Sequence, residues 1–196
     1  LGDIYTLPIN GGTATAINSG LAWSMQPRFS PDGTEIAFTS DAGGGDNIWI
    51  MQADGAEPRQ LTHEDFRLLN NPYWSPDGTY IAARKHFTTT RSLGAGEIWI
   101  YHRNGGDGVP VIERPNPKHQ KELGEPAFSP DGEALAFVST RSGDAQLWLL
   151  PRRGGEPEKK TDFPGGVSHP VWSPDGKSVA LTATVWPAPV SPAARA

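Results

Sequence analysis

The sequence predicts an all-β fold, a β-propeller of four-stranded antiparallel blades, and three observations lead there. A Ser-Pro-Asp-Gly segment occurs four times, as Ser30-Pro31-Asp32-Gly33, Ser75-Pro76-Asp77-Gly78, Ser129-Pro130-Asp131-Gly132 and Ser173-Pro174-Asp175-Gly176, each behind an aromatic: Phe29, Trp74, Phe128 or Trp172. The four serines stand 45, 54 and 44 residues apart, and a period of about 40–45 residues marks propeller blades. A second set of turns, Gly11-Gly12, Asp54-Gly55, Gly105-Gly106 and Gly154-Gly155, follows a strand aromatic in each repeat.

The turn chemistry is readable residue by residue. Pro presets φ at the second turn position, Asp bonds its own backbone, and Gly takes the left-handed place that closes the hairpin. Each copy therefore joins an inner strand to a second strand. Eight residues past each turn serine stand Phe38, Ala83, Phe137 and Leu181, inside runs such as Ile36-Ala37-Phe38 and Leu135-Ala136-Phe137. The third strands read Ile48-Trp49-Ile50, Ile98-Trp99-Ile100 and Leu147-Trp148-Leu149, and Ile4-Tyr5-Thr6 is the same element with Tyr in the Trp place. Such short apolar runs suit strands buried on both faces, and their β-branched and aromatic content favours strand over helix. Outer strands follow the glycine turns, with Ile17, Leu61, Ile112 and Lys160 in equivalent places. Lys160 reads as an edge guard against sheet-to-sheet aggregation.

In this register the propeller covers residues 1–186: a half-blade at 1–20, blades at 21–63, 64–114 and 115–162, and a half-blade at 163–186. The first half-blade holds a third and fourth strand, the last a first and second. Two arrangements satisfy that order, a four-bladed ring closed by pairing residues 3–18 with 168–184, or an arc of a larger propeller. Open end blades expose faces that neighbours normally cover, so an arc is also expected to self-associate. Blade 64–114 carries an insertion at residues 86–96, and residues 115–124 form a long, Pro-rich lead into the next blade; loops carry function more often than strands. Residues 187–196, rich in Pro and Ala, are expected to be a disordered tail.

Composition removes several function classes. The chain has 196 residues and net charge −5, with no basic stripe to neutralise the phosphates of a nucleic acid. Its apolar runs are too short to span a membrane. It has no cysteine, hence no disulfide frame and no thiol chemistry. It opens at Leu1 with no signal-peptide pattern, as expected of an excised or mature segment.

No catalytic, metal or cofactor constellation emerges. Gly166-Val167-Ser168-His169-Pro170 approaches a nucleophile elbow but lacks the second Gly and the strand-to-helix context. The histidines, His63, His86, His102, His119 and His169, show no zinc spacing and fall at unrelated places in the repeat, so they read as exposed loop residues. Asp41 to Asp46 is Gly-rich but is neither a phosphate loop nor a calcium loop. Asp32, Asp77, Asp131 and Asp175 recur in every blade, which marks turn-formers. One polar set is a candidate binding site: Gln26, Asn71, Glu125 and His169 each precede an inner-strand proline (Pro27, Pro72, Pro126, Pro170). The repeat places all four around one mouth of the channel. Solvation of strand starts explains polar residues there, and a mouth that receives a protein or peptide segment explains them too.

The aromatic-Ser-Pro-Asp-Gly turn, the Ile-Ala-Phe strand and the Ile-Trp-Ile strand resemble the WD-like repeat of TolB-type propellers, over residues 3–184. Residues 20–128, with Arg67-Leu68-Leu69-Asn70-Asn71-Pro72 and Ala83-Arg84-Lys85-His86-Phe87, look most like propellers linked to amidohydrolases. Residues 129–186 look more like those linked to prolyl-oligopeptidase-type peptidases. The resemblance implies a non-catalytic module that binds a protein or peptide partner at the propeller mouth, in the periplasm or otherwise exported. Its alternative is the accessory propeller of a larger hydrolase, positioning or filtering substrate for a catalytic domain outside this chain.

Overall fold

The Ser-Pro-Asp-Gly segments form the same closed network four times. The serine hydroxyl donates to its aspartate at 2.6, 2.5, 2.6 and 2.6 Å and accepts the backbone N–H five residues on at 2.9–3.0 Å. The aspartate also accepts the N–H two residues on, and the glycine sits at φ 68–72°, a region that side chains avoid. These bonds hold the Asp32 carboxyl down at about 2, Ser30 being the largest cause and the Thr34 backbone the next; the other three are lowered in the same way. The aspartates are turn-formers, charged and fully engaged.

These turns punctuate an all-β chain, seen in a computed structural model that describes residues 2–87, 96–113 and 122–185, of 122–125 the backbone alone. β1 (Ile4–Thr6) pairs with β2 (Thr15–Asn18). β3 (Ser24–Phe29), β4 (Glu35–Ser40), β5 (Asn47–Gln52) and β6 (Arg59–Gln60) make an antiparallel sheet in chain order. β7 (Leu69–Trp74), β8 (Tyr80–His86), β9 (Gly96–His102) and β10 (Val109–Ile112) make the next blade. β11 (Glu122–Phe128), β12 (Ala134–Ser139), β13 (Gln146–Pro151) and β14 (Glu158–Lys159) make the third, and β15 (Val167–Trp172) pairs with β16 (Val179–Ala183). A single link, Glu122 opposite Gly96, joins the second and third blades into one eight-stranded sheet.

The register follows the repeat. Phe38, Ala83 and Phe137 lie opposite Trp49, Trp99 and Trp148. Leu61 and Lys160 donate to the Ile48 and Leu147 carbonyls, both at 2.8 Å, so Lys160 occupies the place that Leu61 fills. Side chains from both faces of the second strand in each full blade are buried because blades stack face to face. Ile36 and Phe38 pack with Ile4 and Met51 against the first half-blade. Ala37, Ile48 and Ile50 pack with Leu69, Trp74, Ile81 and Tyr101 between the first and second blades. Ala82 and Ile98 meet Leu135 and Phe137, and Ala127, Ala136 and Leu147 meet Val167 of the last half-blade.

Two indoles staple successive blades. Trp74 Nε1 donates to the Arg28 carbonyl and Trp172 Nε1 to the Ala127 carbonyl, each at 3.0 Å. Arg28 and Ala127 are the residues just before the turn aromatic of the preceding blade. Of the two arrangements that satisfy the strand order, the chain adopts the arc. β1–β2 and β15–β16 are separate two-stranded sheets with no ladder joining them among the described residues, because each half-blade is held by the face of its own neighbour. Residues 88–95 of the insertion, most of the 115–124 lead, His119 and the 187–196 tail lie outside the described residues.

A candidate binding site at the mouth of the blades

Proline in the inner strands shapes the mouth. It lacks the N–H that a ladder needs, and in each blade the ladder slips there. Gln26-Pro27 opposes Phe38 alone, Asn71-Pro72 opposes Ala83, and His169-Pro170 opposes Leu181, each a one-residue bulge. Glu125-Pro126 opposes Phe137 in the same way. The bulge turns the residue before proline into the left-handed region: φ is 56° at Gln26, 56° at Asn71 and 54° at His169. Left-handed backbone away from glycine costs about 1–3 kcal/mol and concentrates at ligand clamps and active sites. Bulges likewise serve to re-aim a side chain.

The four candidates divide as follows. Asn71 and His169 line one cavity of ≈ 450 Å³, with Arg28 and Tyr73 on its wall and Pro72 and Pro170 between them. Gln26 stands behind Asn71. Its Oε1 accepts the Asn71 N–H at 2.9 Å and the Thr39 hydroxyl at 3.0 Å, and its Nε2 donates to Asn71 Oδ1 at 2.5 Å. That leaves the Asn71 amide group oriented by its neighbour, and it ties the inner strands of the first two blades together. His169 is exposed, with Nδ1 3.0 Å from the Ser168 hydroxyl. The backbone of Glu125 lies in β11; its side chain is outside the description. Arg28, a cation on the cavity wall, escaped the sequence reading because it is two residues from the polar position that the repeat singles out.

The same end of the blades carries a buried polar cluster that sequence reasoning did not anticipate. Where the first blade has Thr39, Ser40 and Asp41, the second has Arg84, Lys85 and His86. His86 is a correction to the exposed-loop reading. It closes β8, it is 1% exposed, and its Nε2 meets Asn70 Nδ2 at 2.8 Å. Burial, and secondly the Arg84 charge, push it down to about 4, so the ring is neutral at ordinary pH. Arg84 Nε donates to Asn70 Oδ1 at 3.1 Å. Lys85 pairs with Glu64 and lies over the Trp99 ring at 3.9 Å. Arg67 donates to the His86 carbonyl and to Glu97, both at 2.8 Å. The available signal was a run of long charged residues at strand positions that are small in the other blades. β8 and β9 run on at that end until His86 lies opposite Gly96.

Ser168 lies within β15, on an ordinary strand and not on a strand-to-helix elbow. Among the described residues no three His, Cys, Asp or Glu groups come together as a metal site. Those residues also contain no helix long and apolar enough to cross a membrane.

Residues 1–106 match the TolB beta propeller domain. The chain belongs to that family. Among curated proteins, the TolB homolog of Chlorobium luteolum is 28% identical over 154 residues, 79% of this chain and 32% of that protein. An uncharacterized peptidase of Bacillus subtilis, YuxL, is 40% identical over 119 residues, 60% of this chain but 17% of its own length. Among solved structures, a putative TolB from Agrobacterium tumefaciens superposes with TM-score 0.75 at 23% identity, over 92% of this chain and 62% of that one. The chain thus spans less than two thirds of each of these relatives. The TolB propeller fold accounts for the repeat and the blade stacking.

Proposed function

We propose that the chain is a non-catalytic TolB-like binding module whose mouth, built on Asn71, His169, Gln26 and Glu125 with Arg28 beside them, receives a protein or peptide segment. The carrying observation is the bulge repeated before each inner-strand proline, which sets Asn71 and His169 on the wall of one cavity. Three equivalent strained residues are an outlay that a merely solvated strand start does not require. The paired donors and acceptors suit the backbone of an extended segment, and Arg28 suits a carboxylate on it. The TolB relationship supports an exported, periplasmic setting.

A second reading has its own support. The YuxL similarity covers a small part of a protein named as a peptidase, consistent with a propeller that positions or filters peptides for a catalytic domain elsewhere. Both readings place the contact at the mouth. The test is selection of peptides on the purified chain, followed by titration against Asn71→Ala, Arg28→Ala and His169→Ala. Affinity should fall about tenfold or more with the melting temperature held; unchanged affinity in all three refutes a role for the mouth.

A further inference from the structure

Complete blades face each other at two interfaces, and these differ at the end that carries the Ser-Pro-Asp-Gly turns. Between the first and second blades that end is sealed by charged and aromatic side chains. Trp74 is buried there, with the Arg103 guanidinium 5.6 Å from its ring. Arg103 pairs with Glu35. Arg59 of β6 holds the same carboxylate at 3.8 Å and donates to the Arg103 carbonyl of the next blade at 2.8 Å. The Arg103 charge acts on Asp32 as well.

The repeat fixes what stands in these places between the second and third blades. Phe128 takes the place of Trp74. Tyr80 takes that of Glu35, since Tyr80 opposes His102 as Glu35 opposes Gln52. Val109 takes that of Arg59, since Val109 opposes Ile100 as Arg59 opposes Ile50. Arg152 keeps the place of Arg103. Its N–H donates to the Glu133 carbonyl at 2.8 Å, as the Arg103 N–H donates to the Thr79 carbonyl at 2.9 Å, and each guanidinium lies beside its turn glycine, Gly132 or Gly78. The three changes therefore remove a carboxylate, a cation and part of a ring while the guanidinium stays. They leave a cavity of ≈ 330 Å³ walled by Tyr80, Ile100, Val109, Phe128 and Arg152, with residues of the two turns beside them. Among the described residues Arg152 has Asp77 as its one ion-pair partner, at 4.0 Å. Asp77 and Asp131 each commit Oδ1 to their own turns.

We propose that this cavity binds a small carboxylic acid with a flat apolar body. Its carboxylate pairs with Arg152 as Glu35 pairs with Arg103, and its body lies among Tyr80, Phe128, Ile100 and Val109. The occupant thus restores the two kinds of group that the sister interface supplies from its own side chains. A volume at the small end of ligand pockets suits a single ring system, and a guanidinium is the natural partner of a carboxylate beside apolar walls. The cavity shares no residue with the mouth cavity, so acid binding here is separate from peptide binding there.

Isothermal titration of the purified chain with indole-3-acetate and with its neutral counterpart, indole-3-acetamide, tests the pairing. The acid should bind more tightly by about tenfold or more, the worth of one charge-assisted hydrogen bond. Arg152→Met, at an exposed side chain, should abolish that preference with the fold intact. Phe128→Trp, Tyr80→Glu and Val109→Arg together install the side chains of the sealed interface. This triple variant should melt no lower than the parent and bind the acid about tenfold more weakly. No binding of either probe, equal affinity for acid and amide, a preference that survives Arg152→Met, or undiminished binding by the folded triple variant overturns the proposal.

Discussion

Replacing Trp74 by Phe removes one staple and leaves most of the apolar ring, which makes it a sharp probe of how the blades hold together. The indole is 5% exposed, donates to the Arg28 carbonyl at 3.0 Å and has the Arg103 guanidinium 5.6 Å from its ring. Arg103 in turn pairs with Glu35 of the preceding blade. The lost hydrogen bond is worth about 1 kcal/mol net, and the smaller ring in a packed site costs roughly another 1 kcal/mol. For a chain of this size about 2 kcal/mol lowers the melting midpoint by about 4–8 °C. The effect should also be local, since blades interact with nearest neighbours. Amide exchange should accelerate in β3 to β6, while β12 and β13 keep their protection. Trp172→Phe should act on β15 and β16 instead, and the two changes should add because they share no partner. A Trp74→Phe chain that melts within 1 °C of the parent and exchanges uniformly would refute the staple. In the opposite direction, Phe128→Trp should raise the midpoint by reaching the Tyr73 carbonyl, the register equivalent of the two existing acceptors.

The turn network carries a pH signature. Because the folded Asp32 carboxyl sits at about 2, its contribution is complete above the ordinary value near 3.8 and is lost as pH falls towards 2; Asp32→Asn should flatten acid unfolding across that window. Ser75→Ala leaves the Tyr80 N–H without its acceptor and should cost about 1 kcal/mol by chemical denaturation. His86 acts at milder pH. With its folded value near 4 below the ordinary 6.5, the unfolded chain binds the proton more readily, so stability declines as pH drops from about 6.5 to 4, and His86→Gln should remove that slope. Tyr101 is 1% exposed and its hydroxyl has no partner among the described residues, so Tyr101→Phe should raise the midpoint; a loss of stability would refute this.

Much of this architecture was legible because the repeat is a ruler. In the three full blades the positions eight residues beyond the turn serine are the ones that lie opposite the strand aromatics, and the residues ahead of the prolines fall at the same slip of the ladder. What the pattern hides is where it changes within a repeat. His86 reads as a loop residue only if β8 stops where β4 does; the second blade instead runs to His86 opposite Gly96, and the extension buries the ring. The left-handed backbone of Asn71 was equally invisible, since a residue before proline ordinarily prefers extended conformations and only the ladder slip reverses that. The division of labour between Gln26 and Asn71 depends on contacts between blades 45 residues apart, beyond the reach of spacing alone.

The self-contained character of the Ser-Pro-Asp-Gly turn has an evolutionary consequence. Every hydrogen bond that the serine and aspartate side chains make in these turns stays within its own hairpin, so a blade brings its own corner with it when duplicated, deleted or moved. The demands between blades reduce to facing apolar surfaces, a ring that reaches the carbonyl before the previous turn, and a few polar links such as Gln26–Asn71 and Arg103–Glu35. A lineage can therefore change ring size one unit at a time, and transplanting residues 64–114 between propellers that keep this corner should yield folded hybrids more readily than cutting anywhere inside a turn.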